Sequence, residues 1–171
     1  MNKKIINKKS NVQKLSSKIP KTEQTLIDDL DRKIMRELLS NSRLSYRQIA
    51  RIIKVSPATV LTRIKRLESN RMVKYYTAIL DHEMLGYDLS AIIELNISKG
   101  KLIEVEEEIA KSMNVLGVYD ITGTSDAIVL AKFKTRKELN SFVKKVLNMP
   151  FVERTNTRVI LNTIKEDFRL L

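Results

Sequence analysis

Residues 56–68, SPATVLTRIKRLE, combine an apolar helical face with hydroxyl and guanidinium side chains. Val60, Ile64 and Leu67 recur at the spacing of one helix face, so we expect them to pack inward. The positions left outward carry residue types that bind DNA, because arginine donates two parallel hydrogen bonds to guanine and threonine contacts phosphates or a thymine methyl group. These outward positions are Ala58, Thr59, Thr62, Arg63 and Arg66. An ordinary solvated helix face is the alternative.

A row of cations lies just before this helix. Four basic residues fall on or near the preceding predicted helix: Arg43, Arg47, Arg51 and Lys54. Cations in that place meet the sugar-phosphate backbone of DNA rather than its bases, although each can also serve only as a solubilising charge. Ser56 is a good N-cap for the next helix, and a helix N-terminus favours a phosphate nearby. The two helices together predict a DNA-contacting surface.

A second candidate site is the short segment GTSD between two predicted strands. It consists of Gly123, Thr124, Ser125 and Asp126. Its backbone N–H groups, two hydroxyls and one carboxylate could hold the ammonium and carboxylate ends of a small zwitterion. A plain hairpin turn explains the same residues, and both interpretations stay open.

Several kinds of chemistry are excluded or disfavoured by residue content. The chain has no cysteine, which removes disulfides, thiolate catalysis and thiolate metal sites. His82 is the single histidine and falls in a predicted surface turn. The consecutive acids Glu106, Glu107 and Glu108 point in different directions on a helix, so a solvated face is favoured over a metal site. We expect no catalytic residues, no metal and no cofactor.

The positive charge is confined to the front of the chain. Of 171 residues, 32 are Lys or Arg and 20 are Asp or Glu, a formal net charge of +12. Residues 1–25 hold seven lysines and one glutamate, and residues 26–76 hold twelve basic and five acidic residues. Residues 77–171 carry a net charge of −1. The front half therefore has the charge of a nucleic-acid-binding domain, and the back half does something else.

Three short helices are predicted in this front half. The first begins near Asp28 or Asp29, and the second is announced by Ser45 and Gln48 in capping-box spacing. The third begins at Ser56, followed by Pro57 at the first helical position. Three helices with a tight turn before the last one describe a helix-turn-helix.

The back half follows the order of a ferredoxin-like domain. A linker strand is predicted over residues 72–80, followed by a turn. Residues 88–164 then give β-α-β twice, with both helices expected on one face of the sheet. On the other face Ile92, Ile128 and Leu130 would meet water, which predicts a partner subunit and a twofold homodimer.

At this point the chain resembles the Lrp/AsnC family of leucine-responsive and asparagine-responsive regulators, from about Leu26 to the C-terminus. The most specific similarities are LDRKIMRELL, the S-x-x-T-V-x-x-R-I-x-x-L-E run at residues 56–68 and the G-x-x-D-A-I-V segment beginning at Gly123. Arg71 departs from the pattern, because the family usually has glycine there and a left-handed non-glycine residue costs about 1 kcal/mol.

The resemblance implies an α+β chain with a winged-helix-type helix-turn-helix domain and a ferredoxin-like βαββαβ domain. Residues 1–25 are a basic tail, 26–71 the DNA-binding domain, 72–87 the linker strand and turn, and 88–171 the effector and oligomerisation domain. It implies that residues 56–66 form the recognition helix and that effectors, generally amino acids in this family, bind near the loop 123–126. It also implies dimers that often assemble into octamers.

The function expected from these features is a cytoplasmic, sequence-specific transcription regulator bound to double-stranded DNA, with a possible amino-acid effector. No membrane contact is expected, because no apolar run approaches the roughly 18 residues of a membrane span and the N-terminus lacks a secretion signal. One alternative is an architectural nucleoid protein with weak sequence preference. The other is a haem-pathway decarboxylase, because enzymes of that class resemble this chain in their two-domain layout.

Overall fold

The computed structural model describes residues 27–98 and 100–171. The basic tail predicted for residues 1–25 lies outside the described residues. The described chain divides into two compact units: the first contains residues 27–77 and Arg169–Leu171, and the second is Ala78–Phe168. The boundary between them falls inside the segment 72–87 that the sequence predicts as a linker.

The first unit contains three helices, α1 Asp29–Ser40, α2 Tyr46–Ile53 and α3 Pro57–Ser69. Each begins where the sequence places a cap. Asp28, Ser45 and Ser56 each accept a hydrogen bond from the backbone N–H three residues later. These bonds satisfy donors that the first turn of a helix leaves free, which fixes where each helix begins.

The core of the first unit joins all three helices. Ile34 of α1, Ile49 of α2, and Val60 and Leu67 of α3 are each at most 1% exposed. Ile64 is also buried, so the inward face predicted for α3 is confirmed. The packing of this face fixes the rotation of α3 and therefore decides which of its residues meet solvent.

The linker strand predicted at residues 72–80 is not formed in the structure. Residues 74–80 have no regular secondary structure, and no strand is assigned anywhere in residues 27–77. A strand needs a neighbouring strand to complete its hydrogen bonds, and no strand is assigned to residues 72–80. The prediction of a strand at residues 72–80 is therefore wrong for the single chain, whereas the turn that follows it is present at residues 82–86.

The exit from α3 keeps a left-handed residue even though it is not glycine. Arg71 has φ +56°. The N–H groups of Met72 and Val73 both donate to the carbonyl of Leu67, at 2.9 and 3.1 Å. These bonds close the helix end and require the reversal at Arg71.

Replacing Arg71 with glycine is expected to raise the free energy of unfolding of the first unit by about 0.5 kcal/mol. The strain removed is about 1 kcal/mol, and the added freedom of the unfolded chain offsets part of it. Urea denaturation measures the change. Arg71→Ala removes the same side chain while keeping the strain, so a gain of equal size in that variant would contradict the explanation.

The second unit has the element order β1 Leu89–Ile97, α4 Leu102–Ala110, β2 Val115–Asp120, β3 Ala127–Phe133, α5 Arg136–Leu147 and β4 Val152–Val159. The strands form one antiparallel sheet in the order β2-β3-β1-β4. This is the predicted ferredoxin-like βαββαβ arrangement, in which β2 and β3 follow each other in the chain and form a hairpin.

One face of this sheet carries the core. Ile93, Leu95, Val129 and Phe133 are fully buried. They pack in one cluster with Val105 and Ile109 of α4 and Val146 of α5. The alternation in β1 and β3 places every second residue toward the helices.

The opposite sheet face is lined in part by the C-terminal segment. Ile92 and Leu130 line a groove of about 660 Å³ together with Ile160 and residues 162–168. Lys132 on this face forms an ion pair with Glu166 at 2.6 Å. The last strand was predicted to continue through residue 164 but ends at Val159, and the residues after it line this groove instead.

Glu106 of α4 has one buried carboxylate oxygen, Oε1, with no hydrogen-bond partner. Desolvation, together with the nearby charge of Asp120, raises the pKa of Glu106 above its usual value of 4.5. A carboxyl with a raised pKa in the folded state favours folding while protonated, and this contribution is lost as the pH rises.

Glu106→Gln is therefore expected to stabilise the second unit by about 0.5 kcal/mol at pH 7, after allowance for solvent screening, and to have no effect at pH 4. Denaturation at the two pH values measures this difference. The exposed neighbour serves as the control, since Glu107→Gln should change stability at neither pH. If Glu106→Gln stabilises the unit equally at both pH values, ionisation of Glu106 is not the cause of the stabilisation.

Candidate nucleic-acid interface and effector loop

The face of α3 opposite the core is a ridge of exposed residues. Ala58, Thr62 and Lys65 are exposed and lie at i, i+4 and i+7 along the helix. Thr59 is half-buried, and its hydroxyl lies 2.8 Å from the hydroxyl of Ser56.

The two arginines of α3 do not point away from the domain, as the sequence analysis expected. Arg63 forms ion pairs with Asp28 and Asp31, and Arg66 forms one with Asp31. The Arg63 Nη1 to Asp31 Oδ1 distance is 3.3 Å. Both arginines lie on the flank of α3 that faces the N-terminal end of α1. The outward orientation predicted for these two side chains is therefore corrected.

Each of the two aspartates that receive these arginines also caps α1. Asp28 accepts from the N–H of Asp31 at 2.8 Å, and the Asp31 carboxylate accepts from the N–H of Asp28 at 3.2 Å. The bond from the Asp31 N–H, followed by the hydrogen bond from Arg63, lowers the pKa of Asp28. Asp31 is fully buried. One cluster of four charged side chains thus fixes the start of α1 and the rotation of α3.

Lys65 was missed in the sequence analysis. The available signal was its position seven residues after Ala58 and three after Thr62, which places all three on one helix face. Residue type alone favours Arg63 and Arg66 over Lys65, because arginine is the commoner partner of guanine.

The cations predicted on α2 are exposed. Arg47 and Arg51 lie one turn apart on α2, and Lys54 follows at its C-terminal end with φ +59°. Their spacing of i, i+4 and i+7 places them on one face. Such a row can follow a phosphate backbone without specifying a sequence.

The start of α3 adds backbone groups to this surface. Ser56 is exposed, and its hydroxyl accepts the N–H of Thr59 at 3.0 Å. The side chain of Ser56 is thus used to cap the helix. What the helix start presents outward is its positive end, which favours an anion such as a phosphate.

The loop 121–126 is fastened to β1 by its own polar groups. The Asp126 carboxylate accepts from the N–H of Ile97 at 3.0 Å, and Asn96 Nδ2 donates to the carbonyl of Thr124 at 2.8 Å. Gly123 has φ +132°, a conformation that favours glycine. Asp126 therefore has a structural role in holding the loop, in addition to any ligand it binds.

Within the loop, the groups available to a ligand are the hydroxyls of Thr124, which is exposed, and Ser125, which is half-buried. Among the described residues, no group of three or more His, Cys, Asp or Glu side chains is placed to hold a metal ion. In the same part of the chain, no helix has the length and hydropathy needed to cross a membrane.

Comparison with known proteins agrees with both units. Residues 27–68 match the AsnC-type helix-turn-helix domain, and residues 90–170 match the Lrp/AsnC ligand binding domain. The chain is 49% identical to an uncharacterised HTH-type transcriptional regulator of Pyrococcus furiosus, over 84% of this chain and 97% of that protein.

Solved structures share the whole described architecture. A transcriptional regulator of Neisseria meningitidis, solved as a complex with L-methionine, superposes with a TM-score of 0.78 at 28% identity, covering 84% of this chain and 96% of that one. A feast or famine regulatory protein of M. tuberculosis, also complexed with L-methionine, gives a TM-score of 0.74 at 27% identity, covering 83% and 97%. With both domain models matched in order and a relative at 49% identity, the chain belongs to the Lrp/AsnC family.

Proposed function

We propose that this protein is a transcriptional regulator that binds specific sequences of double-stranded DNA and responds to an amino acid or a related small molecule. The observation that carries the proposal is the exposed ridge of α3 beside the row of cations on α2. One surface thereby offers side chains for base edges and, next to them, charges for phosphates.

The contacts divide between the two helices. Ala58 and Thr62 face the major groove, and Ser56 and Thr59 lie at the helix start, where a phosphate would approach the positive end of α3. Arg47, Arg51 and Lys54 contact the phosphate backbone. Arg63 and Arg66 are assigned a different role, because their guanidinium groups are held by carboxylates of the first unit.

The active form is a twofold dimer, which can assemble further into an octamer. The half-buried apolar residues Ile92, Ile128 and Leu130, on the sheet face opposite the helices and beside the groove lined by the C-terminal segment, support a contact between copies. Two recognition helices related by a twofold axis would prefer a pseudo-palindrome whose half-sites are about 10 base pairs apart.

Effector binding is assigned to the loop of Gly123, Thr124, Ser125 and Asp126. The two solved relatives named above were captured with L-methionine, which supports an amino acid as the class of ligand. In this chain the Asp126 carboxylate is partly committed to Ile97, so the hydroxyls of Thr124 and Ser125 and the backbone N–H groups would make the remaining contacts.

The role assigned is binding to cytoplasmic DNA, without a catalytic step. Membership of a family of transcriptional regulators supports this role. The haem-pathway alternative requires a bound tetrapyrrole, and an absorption spectrum of the purified protein tests it, since that alternative predicts a coloured complex.

Selection of fragmented genomic DNA by the full chain, with and without a mixture of amino acids, tests the regulator and its effector together. We expect a small set of enriched fragments that share a symmetric motif, and a change in the set or its yield when the amino acids are added. Even recovery of all fragments would favour the architectural alternative, in which the protein coats DNA with little sequence choice. An enrichment unaffected by amino acids would contradict the effector assignment alone.

A further inference from the structure

The three cations of α3 have different surroundings. The guanidinium groups of Arg63 and Arg66 bind Asp28 and Asp31, whereas Lys65 is exposed and pairs with no carboxylate in the described part of the chain. Sequence alone would rank the two arginines first as base contacts. Their partners in the structure reverse that order.

Moving both arginines toward DNA would leave the buried carboxylate of Asp31 without a charged partner. Asp31 is fully buried, and its carboxylate receives both guanidinium groups. A buried carboxylate that loses its partners is strongly destabilising, so the folded domain opposes release of these side chains. The same ion pairs connect the middle of α3 to the start of α1, which holds the recognition helix at a fixed rotation.

Lys65 lies where a long side chain can reach base edges. It shares the exposed ridge with Ala58 and Thr62. The ridge from Ala58 to Lys65 is about 10 Å long at the rise of an α-helix, which corresponds to about three base pairs. Ala58 and Thr62 are short, and a lysine ammonium at the end of the ridge can donate to O6 and N7 of guanine.

We propose that Lys65 is the cation of α3 that contacts bases and sets sequence preference, while Arg63 and Arg66 are positioning residues that hold α3 on α1. This inference rests on the proposed function, since it specifies how the same DNA surface distinguishes sequences. The base class that fits is guanine, whose two acceptors face the major groove.

The test compares motifs selected from random DNA by the full chain, by Lys65→Met and by Lys33→Met. Lys33 is an exposed lysine of α1, so its replacement removes the same charge from the same unit away from the ridge. Lys65→Met is expected to lose preference for guanine at one position in each half-site, with about a tenfold loss of affinity for the best site relative to scrambled DNA. Lys33→Met should retain the full motif.

The arginines are tested by Arg66→Met and its conservative partner Arg66→Lys. For the folded fraction of Arg66→Met, we expect the original motif with weaker binding to every sequence, and for Arg66→Lys a return toward the original affinity. A lost base preference in Arg66→Met at unchanged stability would show that Arg66 contacts bases and would overturn the inference.

The motif that Lys65→Met selects shows whether Lys65 contacts bases. If it equals the motif of the unsubstituted protein, Lys65 makes no base contact and the inference fails, while the proposed function stands. If the unsubstituted protein itself enriches no motif, the proposed sequence-specific function fails together with the inference.

Discussion

Replacing Asp31 with alanine is expected to lower the free energy of unfolding of the first unit by about 3 kcal/mol. The substitution removes the buried carboxylate to which Arg63 and Arg66 are bound, and it also removes the acceptor for the N–H of Asp28. This loss of stability is at the lower end of the range for a broken buried ion pair, because the side chains of Arg63 and Arg66 are 28% and 36% exposed and remain partly hydrated. DNA affinity should fall with stability, because α3 loses its anchor.

Hydrogen exchange of the full chain measures this loss by region. Amides of α1 and α3 should lose protection, while those of the sheet in the second unit keep theirs. Asp29→Ala is the matched control: it removes an exposed aspartate from the same helix turn and should cost less than about 1 kcal/mol. Equal effects of the two substitutions would show that the buried cluster does not stabilise the unit.

The second large effect is expected when Arg47 and Arg51 of α2 are both changed to alanine. If each binds one phosphate, the slope of log affinity against log salt becomes shallower by about 1.8. That change in slope corresponds to a loss of about 30-fold in affinity near 0.15 M salt, and the loss is the same for specific and scrambled sequences. The preferred motif should not change, because phosphate contacts carry no sequence information.

Salt titrations of binding to a selected site and to its scrambled version provide the measurement. The control removes two lysines from α5 of the second unit, Lys137→Ala and Lys144→Ala, which changes the net charge by the same amount. Both lysines are exposed, and neither belongs to the proposed interface. If the control changes the salt slope as much as the α2 substitutions do, net charge alone governs binding and the contact assignment is wrong.

Local signals in the sequence predicted the start of each helix in the first unit. A capping side chain satisfies its donor within three residues, so Ser45 and Ser56 could be placed without tertiary information. The structure confirms both helix starts through these short-range capping hydrogen bonds.

The predictions that the structure corrects concern residues whose interaction partners are distant in sequence. Arg63 and Arg66 lie more than 30 residues from Asp28 and Asp31, and their pairing depends on how α1 and α3 pack. The strand predicted at residues 72–80 depends on a neighbouring strand, and the structure assigns no strand to these residues. In each case the local pattern was compatible with two outcomes, and long-range contacts chose between them.

Selection of binding sites from fully random DNA by the full chain tests the central claim, that α3 of this protein recognises sequence. We predict a pseudo-palindromic motif with half-sites about 10 base pairs apart, as two symmetry-related recognition helices require. Recovery of a pool with no enriched motif after repeated rounds would contradict the claim.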